Sequence, residues 1–323
     1  MARPKKIALL ATGGTISTAK KSNGVFPSLD ANELLAGING YLPDIEVVPI
    51  DVSKMSSRNV APADIWRLGL AIERCVELGY DGVVITHGTD TLEETVYGLS
   101  LLLKKAVPVV VTGAMISPTR PGSDGTSNLL DAVIVAADER MSIFGPVVLF
   151  QNEVFPARYV TKQSSTKTDA FASPFVGAIA RVVEDRLVLF VSGLPFEDYL
   201  GSVPEPTLRV EIVLAYTGSD GRIIDLIGSE VDGLVIAGTG GGHVSEVMAD
   251  ALLRFVESGK PAILASRSYD GLILERTYGG IGSEIHLLQH GVLSAGDLSP
   301  VKARLKLLFG LQSGQAAQSL FSA

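Results

Sequence analysis

Short apolar runs alternate with amphipathic stretches along the first half of the chain. The runs of strand length cover residues 7–11, 46–50, 82–86, 107–112 and 146–150. Between them, residues 63–78 carry an apolar stripe at helical spacing, and residues 92–103 form a second predicted helix. Strands that alternate with helices in this way predict a parallel sheet covered by crossover helices.

The second half repeats this alternation on a smaller scale after a break. Between residues 193 and 209 the periodicity is lost and prolines interrupt the chain, which predicts a linker between an N-terminal domain, residues 1–192, and a C-terminal domain, residues 210–323. The predicted strands and helices of the second domain lie at residues 210–216, around Ile223, and at 233–237, 244–256, 262–266 and 300–311, the last helix. The predicted fold class is α/β: a larger N-terminal domain with a mostly parallel sheet and flanking helices, and a smaller C-terminal α/β domain.

Composition excludes several classes of partner. The 323 residues carry a net charge of -8 and no cluster of Lys or Arg, which argues against nucleic acid. Apolar runs stay below the roughly 18 residues that a membrane span needs, so no membrane association is expected. The single cysteine, Cys75, excludes a disulfide framework and is predicted to be a buried thiol. The N-terminus lacks a signal-peptide pattern, so we expect a cytoplasmic protein, although a leader removed before residue 1 stays open.

Metal and cofactor chemistry have no support in the sequence. His87, His243, His286 and His290 show no ligand spacing with one another or with the lone cysteine. The string from Gly238 to Gly242 lacks the Gly-Lys-Ser/Thr of a P-loop and does not fit a dinucleotide fingerprint. We therefore expect neither metal nor organic cofactor, and a small polar or zwitterionic substrate.

Two threonines stand in glycine-rich turns directly after predicted strands. Thr12 opens the turn Thr-Gly-Gly-Thr, and Thr89 lies in Thr-His-Gly-Thr-Asp. Ligands of open α/β sheets bind at the carboxyl ends of the strands, so both hydroxyls are expected to face one crevice. A hydroxyl nucleophile needs a base, and Asp90 adjoins Thr89 in the chain.

The turns at residues 9–15 and 86–95, with Ser123–Leu129 in the order Ser-Asp-Gly-Thr-Ser-Asn-Leu, resemble those of the bacterial-type L-asparaginases. The resemblance covers nearly the whole chain. It implies hydrolysis of L-asparagine to L-aspartate and ammonia, with glutamine at most a weak substrate, by a homotetramer built as a dimer of dimers. It also implies that Thr12 forms an acyl-enzyme and that Thr89, Asp90 and Lys162 form a second catalytic set. The residues alone leave the roles of the two threonines exchangeable.

The same resemblance implies further site residues. The backbone of Ala114 would contact the scissile amide, Ser57 would hold the substrate carboxylate, and residues 123–129 would support the site. His243 and Glu284 would approach the site of a neighbouring subunit, with Glu284 near the substrate ammonium. For His243, a plain surface position at a helix N-terminus remains an equal alternative. His87 is expected to buttress its turn.

Two departures from the family pattern affect substrate binding. Arg58 stands where many relatives carry a glutamine that contacts the substrate ammonium; because Arg has only donors, it would clamp the α-carboxylate, pair with Asp90 or Glu284, or face solvent. The loop after Thr15 offers Phe26 where many relatives carry a tyrosine, so either Tyr278 or Lys162 with water would replace that tyrosine.

Two other functions remain open at this stage. One is an amidotransferase subunit that supplies ammonia, which would carry an extra N-terminal domain. The other is a non-catalytic amino-acid-binding module, which would have lost a threonine or the lysine. Neither mark is present in the sequence.

Overall fold

The structure is a computed structural model that describes residues 3–21, 24–194 and 198–321. The chain forms two compact units, residues 1–199 and 200–323. Part of the predicted linker, residues 195–197, lies outside the described residues.

The first unit is built on one large sheet. The strands of this unit, including those outside the large sheet, are β1 Lys5–Gly13, β2 Thr18–Lys21, β3 Gly24–Pro27, β4 Ile45–Met55, β5 Gly82–Thr86, β6 Val109–Thr112, β7 Pro146–Phe150, β8 Glu153–Pro156, β9 Thr161–Lys162, β10 Phe171–Ala172, β11 Ala180–Val183 and β12 Arg186–Leu189. Its helices are α1 Ala31–Ala36, α2 Pro62–Glu77, α3 Leu92–Leu102 and α4 Gly125–Ala137. Over the described residues the large sheet has eight strands in the order β12-β11-β8-β7-β6-β5-β1-β4. The strands from β4 to β7 are parallel, and β8, β11 and β12 extend the sheet in antiparallel fashion.

The parallel core with helices α2 and α3 matches the sequence pattern, whereas neither helix α4 nor the antiparallel extension was predicted. Its two hairpins turn on Gln151-Asn152 and Glu184-Asp185, four residues with φ between 49° and 60°. Such left-handed pairs form tight hairpin turns, but without glycine they give a weak sequence signal. Helix α4 was missed for another reason: most of its residues are buried, so it has no clear amphipathic period.

Helices cover the central parallel strands β1, β5, β6 and β7 and bury them, whereas β4 at the edge of the sheet is only partly buried. Residues 7–11 of β1 are at most 1% exposed, and β5 is buried along its whole length. Helix α4 packs against β1, β5, β6 and β7, while α2 and α3 pack against each other. Strands buried on both faces hold the ends of the sheet in fixed positions, and those ends carry the candidate site.

Asp131, on α4, is expected to make folding pH-dependent. Partial burial, with repulsion from Asp185, raises its pKa to about 6. The folded state therefore binds a proton more tightly than the unfolded chain, so stability falls as pH rises from about 4 through 6. We expect Asp131→Asn to stabilise the protein at pH 7 by on the order of 1 kcal/mol after solvent screening. Urea unfolding at pH 7 and pH 4 measures this, and an equal effect at both pH values would contradict it.

The second unit contains a smaller parallel sheet. Its strands are β13 Val210–Leu214, β14 Gly233–Gly238, β15 Ala262–Ser266 and β16 Leu293–Ser294, adjacent in that order. Its helices are α5 Arg222–Ile227, α6 Glu246–Glu257, α7 Glu284–Gln289, α8 Pro300–Gln312 and α9 Ala317–Leu320. The expectation that the last helix is at 300–311 was wrong, because α9 follows. Across the part of the chain that the structure describes, helices are all too short or too polar to cross a membrane.

Candidate active site

The three strands that precede the candidate turns end side by side. In the sheet, Ala11 of β1 pairs with Thr86 of β5, and Thr86 pairs with Thr112 of β6. The turns after β1, β5 and β6 therefore lie at one edge of the sheet, as the sequence predicts. Such an edge is where α/β sheets bind their ligands.

Glycines let these turns touch backbone to backbone. Gly14 has φ 83°, and a Cβ there would overlap the backbone of Gly88. A Cβ on Gly88 would in turn lie 2.6 Å from the hydroxyl oxygen of Ser57. Only residues without a side chain permit this packing, which sets the Thr12 turn, the Thr89 turn and Ser57 against each other.

The structure brings Thr89, Asp90 and Lys162 together. The Lys162 ammonium donates to the Thr89 hydroxyl at 2.8 Å and to a carboxylate oxygen of Asp90 at 2.7 Å. The Lys162 side chain is 12% exposed and that of Asp90 66% exposed, so the pair lies at a site margin with the carboxylate towards solvent. This arrangement can orient an amine against a hydroxyl and move a proton between them.

The hydroxyl of Thr12 has a different environment. It donates to the Thr86 carbonyl at 2.7 Å, its one hydrogen bond among the described residues. The Thr12 carbonyl accepts a bond from the Ser53 hydroxyl at 2.8 Å. The register between β1 and β4 shifts here, because Ala11 pairs with Asp51 but Gly13 pairs with Met55. This irregularity takes Thr12 out of regular pairing at the end of its strand.

A cavity of about 160 Å³ adjoins Thr12 and Ser57. Ser57 begins a 3-10 turn, Ser57–Asn59, and is 5% exposed; its carbonyl accepts from the Thr91 hydroxyl at 2.8 Å. Arg58, the next residue, is exposed and forms no ion pair among the residues described. Its suggested partner Asp90 is paired with Lys162 instead.

The start of α4 holds the turn that carries Ala114. The Asp124 carboxylate accepts the N–H groups of Met115 and Ile116 at 3.0 and 2.9 Å, and the Asn128 amide donates to the Gly113 carbonyl at 3.0 Å. Ala114 itself is fully buried. That residues 123–129 support the site rather than line it stays a prediction, and these bonds are in line with it.

His87 buttresses the Thr89 turn, as expected. It is 2% exposed, and its ring bonds the Gly88 carbonyl at 2.7 Å and the hydroxyl of Thr95 at 3.1 Å. Burial lowers its pKa, although the bond to Gly88 opposes that shift. A neutral ring with a proton on Nδ1 satisfies both contacts. The partner Thr95, on α3, was missed in the sequence because a threonine inside a helix carries no distinctive signal.

In the second unit, Glu284 and His243 form one cluster with Tyr278. Fully buried Glu284 accepts from the backbone N–H of Tyr278 at 2.7 Å and from the His243 ring at 3.0 Å. Burial works to raise the pKa of Glu284, but these bonds and the backbone N–H groups of Thr277 and Glu284 itself bring it below its ordinary value. The rings of Tyr278 and His243 are nearly perpendicular, with their centroids 4.9 Å apart.

The members of this cluster that solvent can reach are His243 and Tyr278. The His243 side chain is 29% exposed and Tyr278 is 52% exposed. His243 precedes the N-cap of α6, Ser245, so it is not at the helix N-terminus itself. Residues 22–23 and the side chain of Phe26 lie outside the described residues, so the missing-tyrosine hypothesis stays a prediction.

Two family models match consecutive parts of this chain. The model described as "Asparaginase, N-terminal" matches residues 6–192, and that described as "Glutaminase/Asparaginase C-terminal domain" matches residues 209–321.

Individual relatives match over nearly the whole chain. A probable L-asparaginase of Deinococcus radiodurans is 36% identical over 325 residues, which cover 98% of this chain and 95% of the relative. A glutamyl-tRNA(Gln) amidotransferase component of Methanosphaera stadtmanae is 27% identical over 95% of this chain, but only 72% of that relative is covered. The crystal structure of a probable cytoplasmic L-asparaginase from Campylobacter jejuni has a TM-score of 0.84 and 28% identity, with 98% of both chains covered.

Proposed function

This chain belongs to the asparaginase family and is an L-asparaginase, and we propose that it cleaves the side-chain amide of L-asparagine through an acyl-enzyme on Thr12. The observation that carries this proposal is the pair of hydroxyls in turns after adjacent strands, one of them bonded to Lys162, which also pairs with Asp90.

In the first step, the Thr12 hydroxyl oxygen attacks the carboxamide carbon. The C–N bond breaks, the nitrogen takes the hydroxyl proton and leaves as ammonia, and an ester joins Thr12 to the aspartyl group. Thr12 suits this role because its proton is donated to the Thr86 carbonyl, which leaves its lone pairs unoccupied by any donor among the described residues. Thr89 suits it less, since its oxygen already accepts from the Lys162 ammonium.

In the second step, water attacks the ester and releases aspartate. With its ammonium proton released to solvent, the Lys162 amine, with Thr89 as relay, would take a proton from this water and return it to the Thr12 oxygen. Asp90 would hold the lysine in place.

Substrate recognition would involve the turns around this pair. We assign the substrate carboxylate to Ser57, beside Thr12, and the scissile amide to the backbone at Ala114. Glutamine is longer by one methylene, which alone is worth roughly 1 to 3 kcal/mol of discrimination. We therefore propose that glutamine is a weak substrate.

Arg58 is proposed to contribute to that preference. Its cation, exposed beside Ser57, would clamp the α-carboxylate and fix the distance to the nucleophile. We expect Arg58→Gln to raise the glutamine-to-asparagine ratio of kcat/KM by about fivefold, close to 1 kcal/mol. Steady-state kinetics on both substrates measure this, with Arg74→Gln, on the exposed side of α2, as control. An unchanged ratio would mean that Arg58 faces solvent and does not set specificity.

The second unit is proposed to complete a neighbour's site in a homotetramer made of two dimers. The support is the cluster in which buried Glu284 holds the partly exposed His243. We expect Thr12→Ala and Glu284→Ala subunits to be inactive alone and to regain activity when mixed. Each hybrid dimer would contain one intact site, in which Thr12 of one subunit meets Glu284 of the other.

Ammonia release after subunit exchange, verified by native mass spectrometry, measures this. Proven exchange without recovered activity would mean that each chain carries a self-contained site. Mixing each variant with itself is the control.

The other two functions are less well supported. The amidotransferase relative extends well beyond the matched region, whereas the asparaginase relative matches this chain end to end. A non-catalytic binding module would not need the intact Thr89, Asp90 and Lys162 set. A cytoplasmic location remains our proposal.

Ammonia release from L-asparagine, L-glutamine and D-asparagine tests the proposed function. We expect rapid release from L-asparagine and slower release from L-glutamine. Binding of L-asparagine without ammonia release would favour the binding module.

A further inference from the structure

Arg158, four residues before Lys162, forms a largely buried ion pair with Asp198. One terminal nitrogen of the Arg158 guanidinium donates to both carboxylate oxygens of Asp198 at 2.9 Å. The side chains are only 15% and 5% exposed. Both residues belong to the first unit, which ends one residue after Asp198.

The segment between this pair and Lys162 is a short turn followed by a short strand. After β8, the Pro156 carbonyl accepts the N–H groups of Tyr159 and Val160 at 3.2 and 3.0 Å, and Val160 is fully buried. Then comes β9, only two residues long, which pairs with the equally short β10. A strand of two residues fixes its own position weakly, so the turn before it has to set the place of Lys162.

The ion pair is part of the packing of that turn. The Arg158 guanidinium lies 5.8 Å from the centre of the Tyr159 ring. This ring packs against the ring of Phe175, with the two centroids 5.3 Å apart. A buried ion pair adds little net stability compared with an apolar pair of similar size. Stability alone therefore does not explain why two charges are buried at this position.

We propose that Asp198 is a positioning residue for Lys162. It fixes Arg158, and through Arg158 the turn that delivers the lysine to Thr89 and Asp90. The inference rests on the proposed function of Lys162, whose two contacts of 2.8 and 2.7 Å leave little room for displacement. A displacement of about 1 Å at a reacting group can cost a factor of about 100 in rate.

The test compares Asp198→Ala and Asp198→Asn with the wild type in kcat and KM for L-asparagine. We expect kcat to fall by about 10- to 100-fold and KM to change by less than about threefold, because the substrate-binding turns are untouched. Asp138→Ala is the control: it breaks a more exposed ion pair, with Arg140, in the same unit. It should lower the melting temperature and leave kcat unchanged.

A second variant separates positioning from stability. Arg158→Met with Asp198→Leu replaces the buried charges by apolar groups, so it should fold while kcat remains low. Wild-type kcat in any folded Asp198 variant overturns the inference. Lys162→Met, measured in parallel, separates the two claims: if it retains turnover, the proposed role of Lys162 fails, and if it alone loses turnover, only the positioning inference fails.

Discussion

Replacing Thr12 with alanine is expected to reduce kcat for L-asparagine by about four orders of magnitude or more while leaving the fold intact. Loss of one member of a cooperating catalytic set typically has an effect of this size. The fold should survive because the Thr12 side chain makes a single hydrogen bond, to the Thr86 carbonyl, among the residues that the structure describes. Steady-state ammonia release and circular dichroism measure the two effects.

Thr112 offers a matched control. It also ends a strand at the same edge, but its hydroxyl is buried and donates to the Leu149 carbonyl at 2.9 Å. Thr112→Val should cost about 1 kcal/mol of stability and little activity. If Thr12→Ala kept activity comparable to that of Thr112→Val, Thr12 would be a structural residue.

The second large effect is expected for Lys162→Met, which removes the cation and keeps the length of the side chain. If Lys162 acts on the water of the second step, this variant should form the acyl-enzyme and hydrolyse it about 100 to 10,000 times more slowly. Rapid mixing should therefore show a burst of one ammonia per active site, followed by slow aspartate release. The fold should be preserved because the carboxylate left behind, on Asp90, is 66% exposed.

Thr89→Ala should show the same burst if the hydroxyl relays the proton between Lys162 and water. If both steps slowed in either variant and no burst appeared, Lys162 and Thr89 would act in the first step, the formation of the acyl-enzyme. That result would favour the alternative that the sequence leaves open, in which Thr89 is the nucleophile, if Thr12→Ala still formed an acyl-enzyme.

The sequence alone predicts the parallel core and the two threonine turns because both are local features. Apolar runs mark strands buried on both faces, and glycines mark turns whose backbones touch. The close contact between Gly14 and Gly88 explains why these two positions are glycine. These features need no information from distant parts of the chain.

Lys162 could be assigned only by resemblance. It lies 73 residues after Thr89 and is delivered by β9, whose two residues leave no periodic pattern. The hairpins of the antiparallel extension turn on non-glycine residues, so the sequence gives no clear signal for the strands on either side of β9. The pairing of His243 with Glu284 could not be predicted either, because the two residues are 41 positions apart and no local pattern links them.

The central claim is that Thr12 carries the acyl group, and its most direct test is the position of a trapped adduct. The wild-type protein would be incubated with a reactive asparagine analogue, digested and mapped by tandem mass spectrometry. The account predicts one adduct per chain, on the Thr12 hydroxyl, which is absent in Thr12→Ala. An adduct on Thr89 that persists in Thr12→Ala would contradict it.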